Sequence, residues 1–355
     1  MTGRGIDQIL PHPGNPVLYE PYVHDAGEYL RLAEKVSGPI RRPVDYGYIW
    51  GDALPEFDRA GTDLRIVNLE TSITSKKEYW AEKAIHYRMH PLNIACITAA
   101  RIDCCCLANN HVLDWGYGGL AETLQSLDMA GVAHAGAGRN AAEAASPATL
   151  EAADKGRVLV FSFGSTTSGI PRGWSATKDR PGINLLEDLS EDTAREIASR
   201  ARDLKRSADV IIASIHWGGN WGYDIPDEQI RFAHLLIEGG VDIVHGHSSH
   251  HAKAIEAYRD RLILYGCGDF LNDYEGIRGY ETFRSDLPLM YLATLDPQDG
   301  TLLEAQLVPM QIRHFRLNNP EPRDAQWLCG LLNRLGTPLG TGVQMEDDNR
   351  MSLVF

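Results

Sequence analysis

The sequence predicts an α/β protein, on three observations. From residue 63 onward, apolar runs of strand length alternate with stretches of helical period. The 355 residues are 43% hydrophobic and 23% charged, enough for a sizeable core in one large or two ordinary domains. The strand-like runs also empty into polar residues, as they do at the carboxyl edge of an open α/β sheet, where such folds hold their ligands.

Residues 1–60 are rich in Pro and aromatic residues, as in PHPGNPVLYEPYV and GPIRRPVDYGYIW, with one helical pattern over 26–36. They are expected to wrap the domain or cap a site, with Tyr19, Tyr22, Tyr46, Tyr48 and Trp50 as its aromatic side chains. Next come DLRIVNLE as a strand ending at Asn68 and Glu70, a helix begun by Pro91, and DCCCLANN as a strand running into Asn109, Asn110 and His111. A helix over 119–130, a short strand in VAHAG and a strand over 157–163 follow, then a Gly/Pro/Ser-rich loop over 164–182. Beyond a charged helix over 191–206, DVIIASIHWGG reads as a strand ending at His216, 227–238 as a helix, VDIVHGHSSHH as a strand ending in histidines, and RLILYGCGDF as one ending at Asp269. PLMYLATL and LLEAQLVPMQIRHF are expected to pair antiparallel, with a closing helix over 325–335. The domain thus spans about 61–315, with a C-terminal helix and tail over 316–355.

Net charge of −14 and the lack of any basic block exclude a general nucleic-acid binder. No stretch approaches the roughly 18 apolar residues of a membrane span, and the first residues lack a signal-peptide run, so the expected location is cytoplasmic with no membrane anchor. Cys104, Cys105 and Cys106 are consecutive on a strand and face alternate sides, so they read as buried thiols rather than one metal site.

Imidazole with carboxylate or amide oxygen suits Mn, Fe or Zn. Glu70, Asn110, His216, His247 and His250 offer such a mixed set at separate strand exits, for one or two divalent ions. His111 adjoins Asn110 and is placed to move a proton, with Asp114 three residues on to orient it. Asn109 and Asn110 equally suit a turn. No Gly-x-Ser-x-Gly elbow marks a nucleophile, so metal-activated water is the economical choice.

The ordered motifs NLET, ANNHVLDWGYGGLAETLQSL, AGVAHAGAG, IHWG, GHSSHH and YGCGDF resemble the CapA-type proteins, also named PgsA, of poly-γ-glutamate capsule synthesis in the metallophosphoesterase superfamily. The resemblance runs from Gly3 to about Leu295. It implies a four-layer α/β/β/α sandwich with a dinuclear metal site. Position by position it assigns Glu70, Asn110, His216, His247 and His250 as ligands, Asn68 as a neighbour and His111 as proton donor, and leaves His245 and His251 outside. The family opens with Gly-Asp-x-Met-x-Gly-Arg; this sequence offers only Met1, Gly3 and Arg4 of it. Either the start was assigned too late or a ligand and an inner strand are lost. Asp269 stands where relatives carry Asn.

The expectation is a metal-dependent hydrolase acting on a phosphoester or a small anionic, γ-glutamyl or acyl substrate. Arg4, Asn68, Asn109 and Asp269 are its candidate substrate contacts, with Arg88 and Arg278 as further cations. The alternative is an accessory or binding protein of γ-glutamyl polymer synthesis. The 230–238 helix and the C-terminal helix offer a possible homodimer face.

Overall fold

The computed structural model describes all 355 residues. They form a mixed α/β structure with eight α-helices. Two of its sheets carry the expected strand exits. The smaller has three parallel strands in the order Ile66–Asn68, Cys104–Cys106, Ala133–Ala135, with Asn68 level with Cys106. The larger has six, in the order Ile255–Tyr258, Arg261–Leu264, Ile243–His247, Val210–His216, Gly156–Gly164, Ala148–Ala152; its four central strands are parallel and both edge strands antiparallel.

Alternation along the strands sorts the core. Cys104 and Cys106 face Val160, Val210 and Ile212 of the larger sheet, while Cys105 faces away among Leu120, Leu124 and Leu127 of the Gly116–Ala130 helix. Ile211, Ala213 and Ile215 point to the opposite side from Val210 and Ile212 and pack on Ala194, Ile197, Phe232 and Leu236 of the Glu191–Leu204 and Asp227–Glu238 helices. The three consecutive thiols are buried and free, as their spacing requires.

The first 60 residues contribute Ile6, Ile9, Leu30, Ile49, Trp50 and Phe57 to the core around the smaller sheet. Of the aromatic residues expected there, Trp50 donates its indole N–H to Cys96 O at 2.6 Å, Tyr19 stacks on Tyr79, and Tyr22 stands in solvent. The expected antiparallel pair is Leu289–Leu295 with Leu302–Pro309. Met351–Val354 and Gly342–Met345 extend it to a four-stranded sheet. That sheet and the Pro322–Gly336 helix share a third core with Ile255 and Leu262.

Candidate functional site

Parallel pairing puts the polar exits side by side. Register sets His216 opposite His247 on neighbouring strands. Their rings are 5.0 Å apart, and the two Nδ1 atoms lie 2.8 Å from one another. Gly246 is required between His245 and His247, because a Cβ there would come within 2.5 Å of Leu264 O and 2.7 Å of the Trp217 indole nitrogen.

From the smaller sheet, Glu70 is buried, with Oε1 3.9 Å from His216 Nε2 and 4.0 Å from His111 Nε2. Asn68 donates to Glu70 Oε2 at 2.9 Å. Asn109 braces the two exits: its amide NH₂ donates to Asn68 Oδ1 and Leu69 O, and its Oδ1 accepts from the His111 backbone N–H. Its polar groups are consumed within the protein, so Asn109 is a brace here rather than a free substrate contact.

His111 Nδ1 lies 2.7 Å from Asp114 Oδ2, which leaves Nε2 turned toward Glu70. Asp114 Oδ2 also accepts from the Tyr87 backbone N–H, and Oδ1 from Lys83. Lys83 further bonds Asn110 O and lies 3.3 Å from His111 Nδ1. Lys83 and Tyr87, whose ring packs edge-on to His111, were not singled out in the sequence. They lie on an irregular segment whose only signal was one Lys among other charges.

On the far side, His250 Nδ1 sits 3.1 Å from both oxygens of Asp269, and its Nε2 lies 3.3 Å from Tyr274 OH. Asp269 also accepts from Asn272. The carboxylate expected to meet substrate thus holds His250. Arg4 departs further from expectation. It is buried, pairs with Asp273 at 2.6 Å and Glu20 at 3.1 Å, and lies between the rings of Tyr29 and Tyr87. Its guanidinium donates to Asp273, Glu20 and Tyr29, so it is tied into the fold rather than offered to an anion. Arg88 is tied to Lys76 O and Asn15 O, whereas Arg278 is exposed.

Burial shapes the electrostatics. It pushes the Glu70 carboxyl up to about 7, with Asp269 adding to the rise against His250. It also lowers His111 to about 4, with Lys83 contributing, and holds His216 and His247 well below the usual imidazole value. His250 goes the other way, because Asp269 outweighs its burial. Burial would raise Asp114, but Lys83 and His111 hold it below the usual carboxylate range. At neutral pH His111, His216 and His247 are therefore neutral imidazoles around a carboxyl that readily changes charge, while His250 is held toward its protonated form by Asp269.

Unpartnered atoms test whether these residues fit an ion. His216 Nε2 and Asn110 Oδ1 are both buried without a hydrogen-bond partner. Leaving such a group unpaired costs about 1–3 kcal/mol. No three His, Cys, Asp or Glu side chains form a ready-made ligand cluster. Glu70 Oε1 and His216 Nε2 nonetheless face one another across 3.9 Å, and Asn110 Oδ1 is a further unpartnered oxygen at the neighbouring exit. Ligand distances of about 2.0–2.2 Å fit an ion between groups about 4 Å apart. The donors suit a borderline divalent ion, so the residues fit.

The family model described as bacterial capsule synthesis protein PGA_cap matches residues 1–274. A probable polyglutamine synthesis accessory protein of Mycobacterium tuberculosis (strain H37Rv) is 45% identical over 355 residues, covering 100% of this chain and 93% of that protein. The capsule biosynthesis protein CapA of Bacillus anthracis is 25% identical over 275 residues, 77% of this chain and 58% of that one. The PGA biosynthesis protein CapA of Bacillus subtilis is 28% identical over 207 residues, 58% and 52% of the two chains. A family match over this much of the chain, with a relative aligned along its whole length, means that the chain belongs to the bacterial capsule synthesis protein family PGA_cap.

Proposed function

We propose that this chain is a metal-dependent hydrolase of poly-glutamate or capsule synthesis, built on a four-layer α/β/β/α sandwich of the metallophosphoesterase type. The frame is supported by the two sheets meeting across Cys104 and Cys106, with helices packed on their other faces. The observation that carries the reading is the unpartnered His216 Nε2, buried 3.9 Å from Glu70 Oε1 beside a second imidazole.

Glu70, Asn110, His216, His247 and His250 would hold one or two divalent ions. A bound ion would lower the pKa of water toward about 7 and so supply a nucleophile at neutral pH. His111 faces the same space through Nε2, while Asp114 accepts from its Nδ1–H and orients the ring. With the ring neutral and its proton on Nδ1, Nε2 presents a lone pair, which suits a group that takes a proton from the attacking water and hands it to a leaving oxygen or nitrogen. Asp269 orients His250. The substrate class is a phosphoester or a small anionic γ-glutamyl amide.

The name of the mycobacterial relative, an accessory protein, favours a second reading in which the chain binds a γ-glutamyl polymer without turning it over. One experiment separates the two. Wild type and His111→Ala are assayed on aryl phosphoesters and γ-glutamyl anilides with Mn²⁺, alongside binding of γ-glutamyl oligomers. Turnover that His111→Ala abolishes with binding intact supports the hydrolase. Binding without turnover in either protein overturns it in favour of the accessory role.

A further inference from the structure

The central strands of the larger sheet carry a lattice of four polar residues at their exits. Register pairs Ser214 with His245 and His216 with His247. Residues two apart on a strand share a face, so all four continue the side on which Val210 and Ile212 meet Cys104 and Cys106. Ser214 is fully buried in a strand whose only other polar residue is His216. Its Oγ lies 2.9 Å from His247 Nε2 and 3.0 Å from His245 Nδ1. With His247 Nδ1 2.8 Å from His216 Nδ1, a continuous chain runs His245, Ser214, His247, His216 and ends at the unpartnered His216 Nε2.

In a neutral imidazole one nitrogen carries the proton and the other a lone pair. Each link of the chain therefore fixes the next. A proton on His216 Nε2 would be a buried N–H with no acceptor in range, since Glu70 Oε1 is 3.9 Å away. With a lone pair there, His216 Nδ1–H donates to His247 Nδ1, and His247 Nε2–H donates to Ser214 Oγ. The hydroxyl donates its own hydrogen bond to His245 Nδ1. Where His245 is itself protonated, the hydroxyl accepts from both rings and turns to Cys106, whose thiol it helps to hold below its usual range after Cys104 and His245. Ser214 accepts from His247 in both arrangements.

We propose that Ser214 is a positioning residue that selects the Nε2–H tautomer of His247 and, through it, keeps a lone pair on His216 Nε2 facing Glu70. It determines which nitrogens of the exit histidines are able to take a divalent ion. The inference rests on the reading of His216 and His247 as ligands, His216 through Nε2 and His247 through the Nδ1 lone pair, which in the metal-free protein meets His216 Nδ1–H and would exchange that contact for the ion.

Two measurements test it together: long-range ¹H–¹⁵N spectra of the histidine rings in metal-free protein, and titration of the same protein with Mn²⁺. The wild type is expected to show His247 protonated at Nε2 and His216 at Nδ1. Ser214→Ala is expected to lose that single tautomer and to bind Mn²⁺ about 10- to 100-fold more weakly. Ser214→Thr, which keeps the hydroxyl, is expected to recover most of the affinity. Wild-type His247 protonated at Nδ1, or Ser214→Ala binding Mn²⁺ within twofold of wild type, would overturn the proposal. Should Ser214→Ala fail to fold, as far-UV circular dichroism would show, the wild-type tautomers and the Thr variant decide. Wild-type protein that takes up no Mn²⁺ sinks the ligand reading instead, and the His247 tautomer then decides this inference alone.

Discussion

His111 shows how much one side chain depends on what surrounds it. Its Nδ1 meets Asp114, Lys83 neutralises that carboxylate, and Tyr87 packs edge-on to the ring. General acid–base groups contribute about 10²–10⁴-fold, so His111→Ala is expected to reduce turnover by that factor with ligand affinity unchanged, as initial rates and equilibrium binding would show. Glu70 makes a prediction of a different kind. Its buried carboxyl holds a proton up to about 7, against 4.5 in an unfolded chain. The raised value stabilises the metal-free protein fully below 4.5, and that stability is lost as pH rises through 7. Replacing Glu70 by Gln removes the buried charge while keeping an acceptor for Asn68. The variant is expected to melt about 2–4 °C higher than wild type at pH 8 and the same at pH 4.5 by metal-free thermal scans. Single residues at strand exits were legible in the sequence because Glu70, His111, His216 and His247 interrupt apolar runs. Arg4 was not, since its partners Glu20 and Asp273 lie 16 and 269 positions away and nothing local marks them.

The braces act at the scale of the elements. Asn109 ties the Ile66–Asn68 exit to the Cys104–Cys106 exit through two hydrogen bonds, to Asn68 Oδ1 and Leu69 O, while the His111 N–H donates to its Oδ1 within its own exit. Asn109→Ala would leave Leu69 O and the His111 N–H without that partner. At about 1–3 kcal/mol for an unpaired buried group, the expected loss in urea unfolding is about 2–4 kcal/mol, with weaker ion binding as Glu70 loses its alignment. An unchanged unfolding midpoint would mean that the exits hold their positions unaided. The long elements follow their period: Val210–His216, Asp227–Glu238 and Gly116–Ala130 stand where apolar spacing puts them. Ala148–Ala152 was not foreseen. Ala, Leu and Glu favour helices, and the segment is extended because it pairs antiparallel with Gly156–Gly164. The last strands likewise exist through pairing, Met351–Val354 with Leu302–Pro309 and Gly342–Met345 with Met351–Val354, and the first of these contacts is one that a local pattern does not carry.

Across the whole molecule, several imidazoles are buried neutral around one carboxyl. His111 is lowered to about 4, and His216 and His247 fall well below the usual value, chiefly through burial. An unfolded chain binds protons at these positions near 6.5, so folded stability present above that value is lost as pH falls toward 4. His111 alone accounts for about 3 kcal/mol of this by the difference between the two values. Glu70 and His250 have the opposite sign, but His250 gains its proton above 6.5, so between pH 6.5 and 4 Glu70 stands against the three lowered imidazoles. The metal-free protein is therefore expected to lose stability between pH 6.5 and 4 in urea titrations, and added Mn²⁺ to stabilise it most above pH 7, where the ligands are free of protons. A flat profile in both conditions would contradict this picture of the exits. The α/β architecture was legible at this scale from the alternation of runs, and the convergence of exits from the repeated polar endings. The hydrogen-bond chain through Ser214 and His245 was not, because it depends on the register between two strands.

The most direct test of the central claim is the metal content of the purified protein. Elemental analysis of wild type prepared with neither added metal nor chelator is expected to give one or two divalent ions per chain. His216→Ala prepared in parallel is expected to lose them. Wild type free of metal, and unable to take up Mn, Fe or Zn on addition, would contradict the account.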